Sequence, residues 1–168
     1  LTQDAAIRLI HAFIASKLDQ VNAILYGIPK YLLDRYQKIQ NNAARIATKR
    51  KRRDHITPIL AQLHWLPVNK RVEYKMLLTT FKALHGLSPG YIADLIQSYV
   101  PPRSLRSLDL NLLHQPKSRT KTYGDRSFEV AAPKLWNKMS LGLRQQDELE
   151  SFKTDLKTFL YKQAYPSD

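Results

Sequence analysis

Five adjacent cations, Lys49-Arg50-Lys51-Arg52-Arg53, form the longest unbroken charge run in the chain. Like charges at this spacing repel and stay in water, so the run is expected to be exposed. That suits a phosphate contact, a nuclear-import signal or a solvated linker. Lys38 and Arg45 precede the run, and Lys70, Arg71 and Lys75 follow it. A second cluster, Lys117, Arg119, Lys121 and Arg126, stands among Ser and Thr hydroxyls. Such a mixture suits phosphate oxygens, and it suits water equally well.

Nothing beside these cations is built for bond-making. The five histidines are His11, His55, His64, His85 and His114, and none pairs with another at metal-binding helical spacing. There is no cysteine, which excludes disulfides, Cys-based zinc sites and Cys nucleophiles. Glycine occurs only at Gly27, Gly86, Gly90, Gly124 and Gly142, so neither nucleotide-binding fingerprint nor a G-x-S-x-G elbow fits. No His has Arg three residues on, as a tyrosine recombinase requires. Asp147, Glu148 and Glu150 fall at an expected helix N-terminus, where the helix dipole accounts for them. The sequence therefore predicts no catalytic residue, no metal and no cofactor.

The totals agree with a polyanion binder. The chain has 168 residues, 27 Lys and Arg against 14 Asp and Glu, a net charge of +13 and a pI near 10.0. Nucleic acid is the first partner class implied and an anionic membrane surface the second, with a merely solvated basic surface as the plain alternative. Hydrophobic content of 43% is that of a folded protein. No run approaches the roughly 20 apolar residues of a membrane span, and no secretory leader is evident. A nuclear or cytoplasmic location is expected. The chain opens inside a helical pattern, Ala5, Ala6, Leu9, Ile10, Phe13 and Ile14, as a piece cut from something longer would.

The elements that must position these residues are mostly helices. Ala6, Leu9, Ile10 and Phe13, continued by Leu18, Val21 and Leu25, predict one helix over 3–26 or two joined near Ser16, stopped by Gly27 and Pro29. A second helix is expected over 29–48, with Leu32, Leu33, Tyr36, Ile39, Ala43 and Ile46 as its apolar stripe. Asn41, Ala43 and Ala44 make it slim, which admits a close partner: a helix first, a nucleic-acid groove second. Thr57 and Pro58 predict a short helix over 58–63. It meets a corner at His64-Trp65-Leu66-Pro67, where Trp65 reads as core, with base stacking as the alternative.

Asn69 is the expected cap of a helix over 70–85 that buries Val72, Met76, Leu77, Phe81 and Leu84, and Gly86 ends it. Ser88-Pro89 restarts a helix through Ile96. From 100 to 124 the period fails. An irregular connector is expected there, anchored by Leu105, Leu108, Leu110, Leu112 and Leu113, with room for a short strand over 108–112. Pro133 predicts a broken helix around Phe128, Val130, Ala131, Leu135 and Trp136. Leu149, Phe152, Leu156, Phe159 and Leu160 predict a clear last helix. The fold class is mainly α. The divisions expected are 1–50, a basic junction and helical module over 51–99, the connector over 100–126, and a C-terminal helical segment over 127–168.

Several stretches together resemble the C-terminal part of non-LTR (LINE-type) retrotransposon reverse transcriptases, the portion after the catalytic palm. Ser16-Lys17-Leu18-Asp19 with Asn22 is similar to the family's S-R-L-D-Y-C-N element. Gln37-Lys38-Ile39-Gln40-Asn41 through Arg45 is similar to its L-Q-x-V-Q-N-x-A-A-R helix. Asp54-His55-Ile56-Thr57-Pro58 with Leu63-His64-Trp65-Leu66-Pro67-Val68 is the most specific match. Arg71, Tyr74-Lys75, Lys82-Ala83-Leu84-His85-Gly86, Pro89 and Tyr91 continue it. Tyr123-Gly124-Asp125-Arg126-Ser127-Phe128 and Ala131-Ala132-Pro133-Lys134-Leu135-Trp136-Asn137 complete it, so nearly the whole chain is covered in order. The departures are Gln20-Val21 for Tyr-Cys, and Met139-Ser140-Leu141-Gly142 for the L-P-x-x-L-R approach to Arg144.

The resemblance implies a helical thumb-like region over 1–50 followed by a helical C-terminal module, gripping template–primer or element RNA. The parent family is an RNA-directed DNA polymerase. Its A-D-D palm motif and its endonuclease do not occur in this sequence, so the chain is not catalytic by itself. Phosphate contacts are assigned to Lys38, Arg45, Lys49, Arg50, Lys51, Arg52, Arg53, Lys70, Arg71 and Lys75 first, and to Arg119, Lys121 and Arg126 second. Partners are RNA, DNA or their hybrid, together with the palm and endonuclease portions of the parent. No membrane is implied. The alternative is a helical protein-interaction module, or a retained transposon-derived protein without polymerase activity.

Overall fold

The structure, a computed structural model, describes residues 2–20, 22–101, 110–120 and 122–166. The fold is mainly α. Helix α1 (Gln3–Ile10) passes through a wider π turn, His11–Ala15, directly into α2 (Ser16–Asp19), so the join expected at Ser16 is a change of pitch. A 3-10 turn, Asn22–Leu25, and Gly27 at φ +69° then redirect the chain. Helices α3 (Lys30–Thr48), α4 (Ile56–Gln62) and α5 (Val68–Leu84) follow. After them come α6 (Gly90–Ala93), α7 (Phe128–Trp136), α8 (Leu141–Arg144) and α9 (Leu149–Ala164). Among the described residues no helix is long and apolar enough to cross a membrane.

Two compact units are formed, one from 1–72 with 159–168 and one from 73–158. These bounds do not coincide with 50, 99 and 126. The long helices α5 and α9 each contribute residues to both units, whereas composition marks boundaries only at loops.

In the first unit the core is Ile10, Ala43, Ala44, Ala47, Ile59, Leu60 and Trp65, with Ile7, Ile14, Ile56, Leu63 and Tyr165 packed on it. Trp65 is core, as its flanks predict. Two apolar stripes differ from expectation. In the first helix the inward line is Ile7, Ile10 and Ile14, while Leu9 is exposed and Phe13 is 70% exposed. On α3 the buried face is Gln40, Ala43, Ala44 and Ala47, while Ile39 and Ile46 are 48% and 67% exposed. The small residues win because they let neighbouring backbones approach, which a stripe of Ile and Tyr prevents.

Helix starts also shift. Helix α4 begins at Ile56, so Pro58 sits in its first turn, where no amide partner is lost. Helix α5 begins at Val68 because Gln37 of α3 serves as its cap: Val68 N–H donates to Gln37 Oε1 at 2.8 Å. Asn69 is not needed there.

In the second unit Phe81 stacks on Phe152 with ring centroids 4.2 Å apart, and Trp136 lies 6.0 Å from Phe152. Val72 in the first unit, and Met76, Leu77 and Phe81 in the second, are buried as predicted, but Leu84 is exposed. Helix α7 is continuous through Pro133, against the expected break. Pro133 costs one hydrogen bond late in a nine-residue helix, and burial of Ala131, Ala132, Leu135 and Trp136 outweighs it. The described part of the connector is irregular. Of the strand expected over 108–112 only 110–112 are described, and they form no strand; one antiparallel bridge, Ser98 with Leu113, stands beside them among the described residues. Asn137 holds it, donating to Leu113 O and accepting from Leu113 N–H, both at 2.9 Å. Leu105 and Leu108 lie outside the described residues.

Replacing Phe152 by Ala removes the ring shared by Phe81 and Trp136 and should cost about 3–5 kcal/mol in urea unfolding of the second unit. A pH effect is expected in the first unit. Tyr165 donates its hydroxyl to Trp65 O at 2.7 Å, and burial, aided by Tyr161, pushes its pKa up to about 12. The folded state keeps this proton after the unfolded state, near its ordinary pKa of 10.0, has lost it. The stabilisation is therefore complete below about pH 10 and is lost as pH rises towards 12. Unfolding titrations across that range should show a shallower alkaline loss for Tyr165→Phe than for the parent chain.

Candidate nucleic-acid interface

Residues 31, 35, 38, 42, 45 and 49 recur at alternating four- and three-residue spacing, so they share one line along α3. That line lies opposite Gln40, Ala43, Ala44 and Ala47. Tyr31, Arg35, Lys38 and Asn42 on it are exposed. Its cations are thus displayed by the same packing that buries the alanines. Arg45 is half-buried. Its Nη2 donates to Asp54 O at 3.4 Å, and its Nε is enclosed without a hydrogen-bond partner among the described residues.

The pentad begins where α3 ends. Lys49 closes the helix in the left-handed region at φ +53°, and Arg50 N–H returns to Arg45 O at 3.0 Å. A non-glycine residue there costs about 1 kcal/mol or more. The next residues form a tight turn. Lys51 N–H donates to the Asp54 carboxylate at 2.9 Å, and Asp54 N–H donates to Lys51 O at 3.1 Å. With its centre filled by Asp54, the turn leaves Lys49, Arg50, Lys51, Arg52 and Arg53 all exposed. A depression of about 200 Å³ opens beside it, lined by Arg50, Asp54, His55, Pro58, Ile59 and Gln62. The result is five cations presented to solvent at the helix end and turn, with Arg35 and Lys38 exposed further back along α3. Such an array neutralises phosphates without reading bases.

The other predicted contacts divide. Arg71 is used internally: Nη1 pairs with Asp19 Oδ2 at 2.5 Å and Nε donates to Leu66 O at 3.2 Å. Lys70 Nζ donates to Gln163 Oε1 at 2.9 Å. Neither is presented as the pentad is. Lys75 is exposed but belongs to the second unit, as do exposed Arg119 and half-buried Arg126. Lys121 lies outside the described residues. Arg35 is an exposed cation on the Lys38 line of α3 that the predicted set lacks. Its spacing of three from Lys38 and ten from Arg45 was the available signal. Among the described residues no three His, Asp or Glu side chains converge as a metal site.

Neither a protein-family model, nor a curated protein, nor a solved structure matches this chain.

The turn generates a paired test. Asp54→Ala removes the acceptor for Lys51 N–H and should destabilise the first unit by about 1–2 kcal/mol. Asp54→Asn keeps an acceptor oxygen and should cost less than half of that. Urea midpoints of the two variants, compared with the parent, check it.

Proposed function

We propose that the first unit grips the phosphate backbone of a nucleic acid along α3 and the turn that follows it. In this reading the chain is a non-catalytic, thumb-like fragment of a non-LTR retrotransposon reverse transcriptase, acting on template–primer or element RNA in the nucleus or cytoplasm. The observation that carries it is the exposure of Lys38 on the side of α3 opposite its buried alanines, together with the exposure of all five pentad residues at the helix end and in the turn after it. A net charge of +13 and the resemblance of the Gln37–Arg45 and Asp54–Val68 stretches support it. Contacts to phosphate alone suit a duplex that moves through its grip, because the backbone is the feature that does not change.

A second reading is favoured by Ile39 and Ile46, two exposed apolar side chains one heptad apart on α3. They suit docking of another protein, and in the retrotransposon reading the natural occupant is the palm portion of the parent.

The test is binding of the purified chain to an RNA–DNA hybrid, duplex DNA and single-stranded RNA across a salt series. Steep salt dependence with preference for the hybrid is expected. Replacing all five residues Lys49, Arg50, Lys51, Arg52 and Arg53 by Ala should weaken binding to all sequences alike and lower the duplex-DNA salt slope by about 0.9 for each phosphate no longer neutralised. An unchanged slope removes the pentad from the interface. Failure of the folded parent chain to bind at moderate salt favours the docking reading.

A further inference from the structure

The second unit contains a cavity that the basic turn does not account for. Its volume is about 240 Å³, and His85, Tyr99, Asn111, Trp136, Arg144 and Asp147 are among the residues lining it. Arg144 stands at the end of α8 with only 9% of its surface exposed. Its Nε and Nη1 are both enclosed and have no hydrogen-bond partner among the described residues. Enclosure also lowers its pKa from the ordinary arginine value, without bringing a guanidinium near neutrality.

An enclosed cation with no counter-charge among the described residues is costly, and folded proteins rarely retain one. The carboxylate lining the cavity, Asp147, is almost fully exposed, and its ion contact is His85 Nε2 at 3.7 Å. The cavity wall is otherwise well held. Trp136 Nε1 donates to Asn111 O at 2.9 Å, and Asn111 Nδ2 donates to Arg144 O at 3.2 Å. His85 is fixed by its Nδ1 contact to Phe81 O at 2.8 Å and by stacking on the Phe81 ring. The site is therefore a fixed positive charge in a polar recess with rigid walls.

We propose that this cavity binds a phosphate group, with Arg144 as its principal anchor and the His85 ring as a second contact. A phosphate fits better than a carboxylate. It brings more charge and more acceptor oxygens to a recess that Arg144 lines beside Ser98, Tyr99 and His85. The turn after α3 belongs to the other unit, so the two sites stand or fall separately.

The chain carries its own reporters. Trp136 borders the cavity and Trp65 belongs to the first unit, and they are the two tryptophans of the sequence. Titration of the full chain with inorganic phosphate at constant ionic strength should move the Trp136 indole N–H resonance to saturation and leave that of Trp65 in place. Acetate and chloride should not reproduce the effect. Arg144→Gln should weaken binding at least about tenfold, as loss of a charge-assisted hydrogen bond does. His85→Gln, altered at a partly exposed position, should weaken it less. The proposal is overturned by a shift without saturation, by equal movement of both indoles, by acetate binding as tightly as phosphate, or by Arg144→Gln titrating like the parent. Should Arg144→Gln not fold, the parent titration and His85→Gln decide by the same criteria: His85→Gln titrating like the parent then counts against the site.

Discussion

The side-chain amide of Gln40 is buried to within 2% and donates to Leu66 O at 2.8 Å, across 26 residues of sequence. Its own carbonyl accepts from Gln37 Nε2 at 2.9 Å, and Gln37 Oε1 caps α5 at Val68. Two glutamines one turn apart on α3 thus satisfy the backbone of the Leu66-Pro67-Val68 corner, where Pro67 offers no amide of its own. Buried polar groups left unpaired cost about 1–3 kcal/mol each, so the corner and α3 must be placed together. Trp65 is enclosed as a consequence, with Tyr165 completing its backbone carbonyl.

Once Gln40 faces inward, the rest of α3 has no freedom. Ala43, Ala44 and Ala47 follow it into the core by helical spacing, and the line through Lys38, Arg45 and Lys49 is turned to solvent. Ile39 and Ile46 fall between the two faces. The basic turn inherits its position from the helix end, through Lys49 in a left-handed conformation and Asp54 at the turn's centre. Display of the cations is therefore a packing result. Charge repulsion alone keeps them wet but does not line them up.

The second unit obeys a different constraint. Its aromatic stack of Phe81 and Phe152 with Trp136 nearby is apolar and self-sufficient, and the irregular segment before α7 is held by single polar side chains. Asn137 secures Leu113, and the Asn111 side chain donates to Arg144 O while its backbone carbonyl accepts from the Trp136 indole N–H. Arg144 is the one member of this polar set whose enclosed nitrogens go unmatched, alongside Gln146 Oε1, among the described residues of the unit. That mismatch is what separates a cavity with a use from one left by loose packing.

Much of this was legible in the residues. Periodicity located every long helix, because a core-facing stripe repeats whatever the helix packs against. The exposure of the pentad followed from charge density, and the enclosure of Trp65 from its apolar flanks. Three-dimensional packing settles what one-dimensional spacing leaves open. Two apolar stripes fit α3, and only close helix approach selected alanine over Ile39 and Ile46. Pro133 reads as a breaker until neighbouring aromatics offset the bond it lacks. Arg71 reads as a surface cation until Asp19, 52 residues earlier, comes within 2.5 Å. Helix content, net charge and the exposed basic run are local or additive properties, so residue order alone settles them. Which cations face solvent, and which arginine is enclosed without a partner, depended on contacts between residues far apart in the chain.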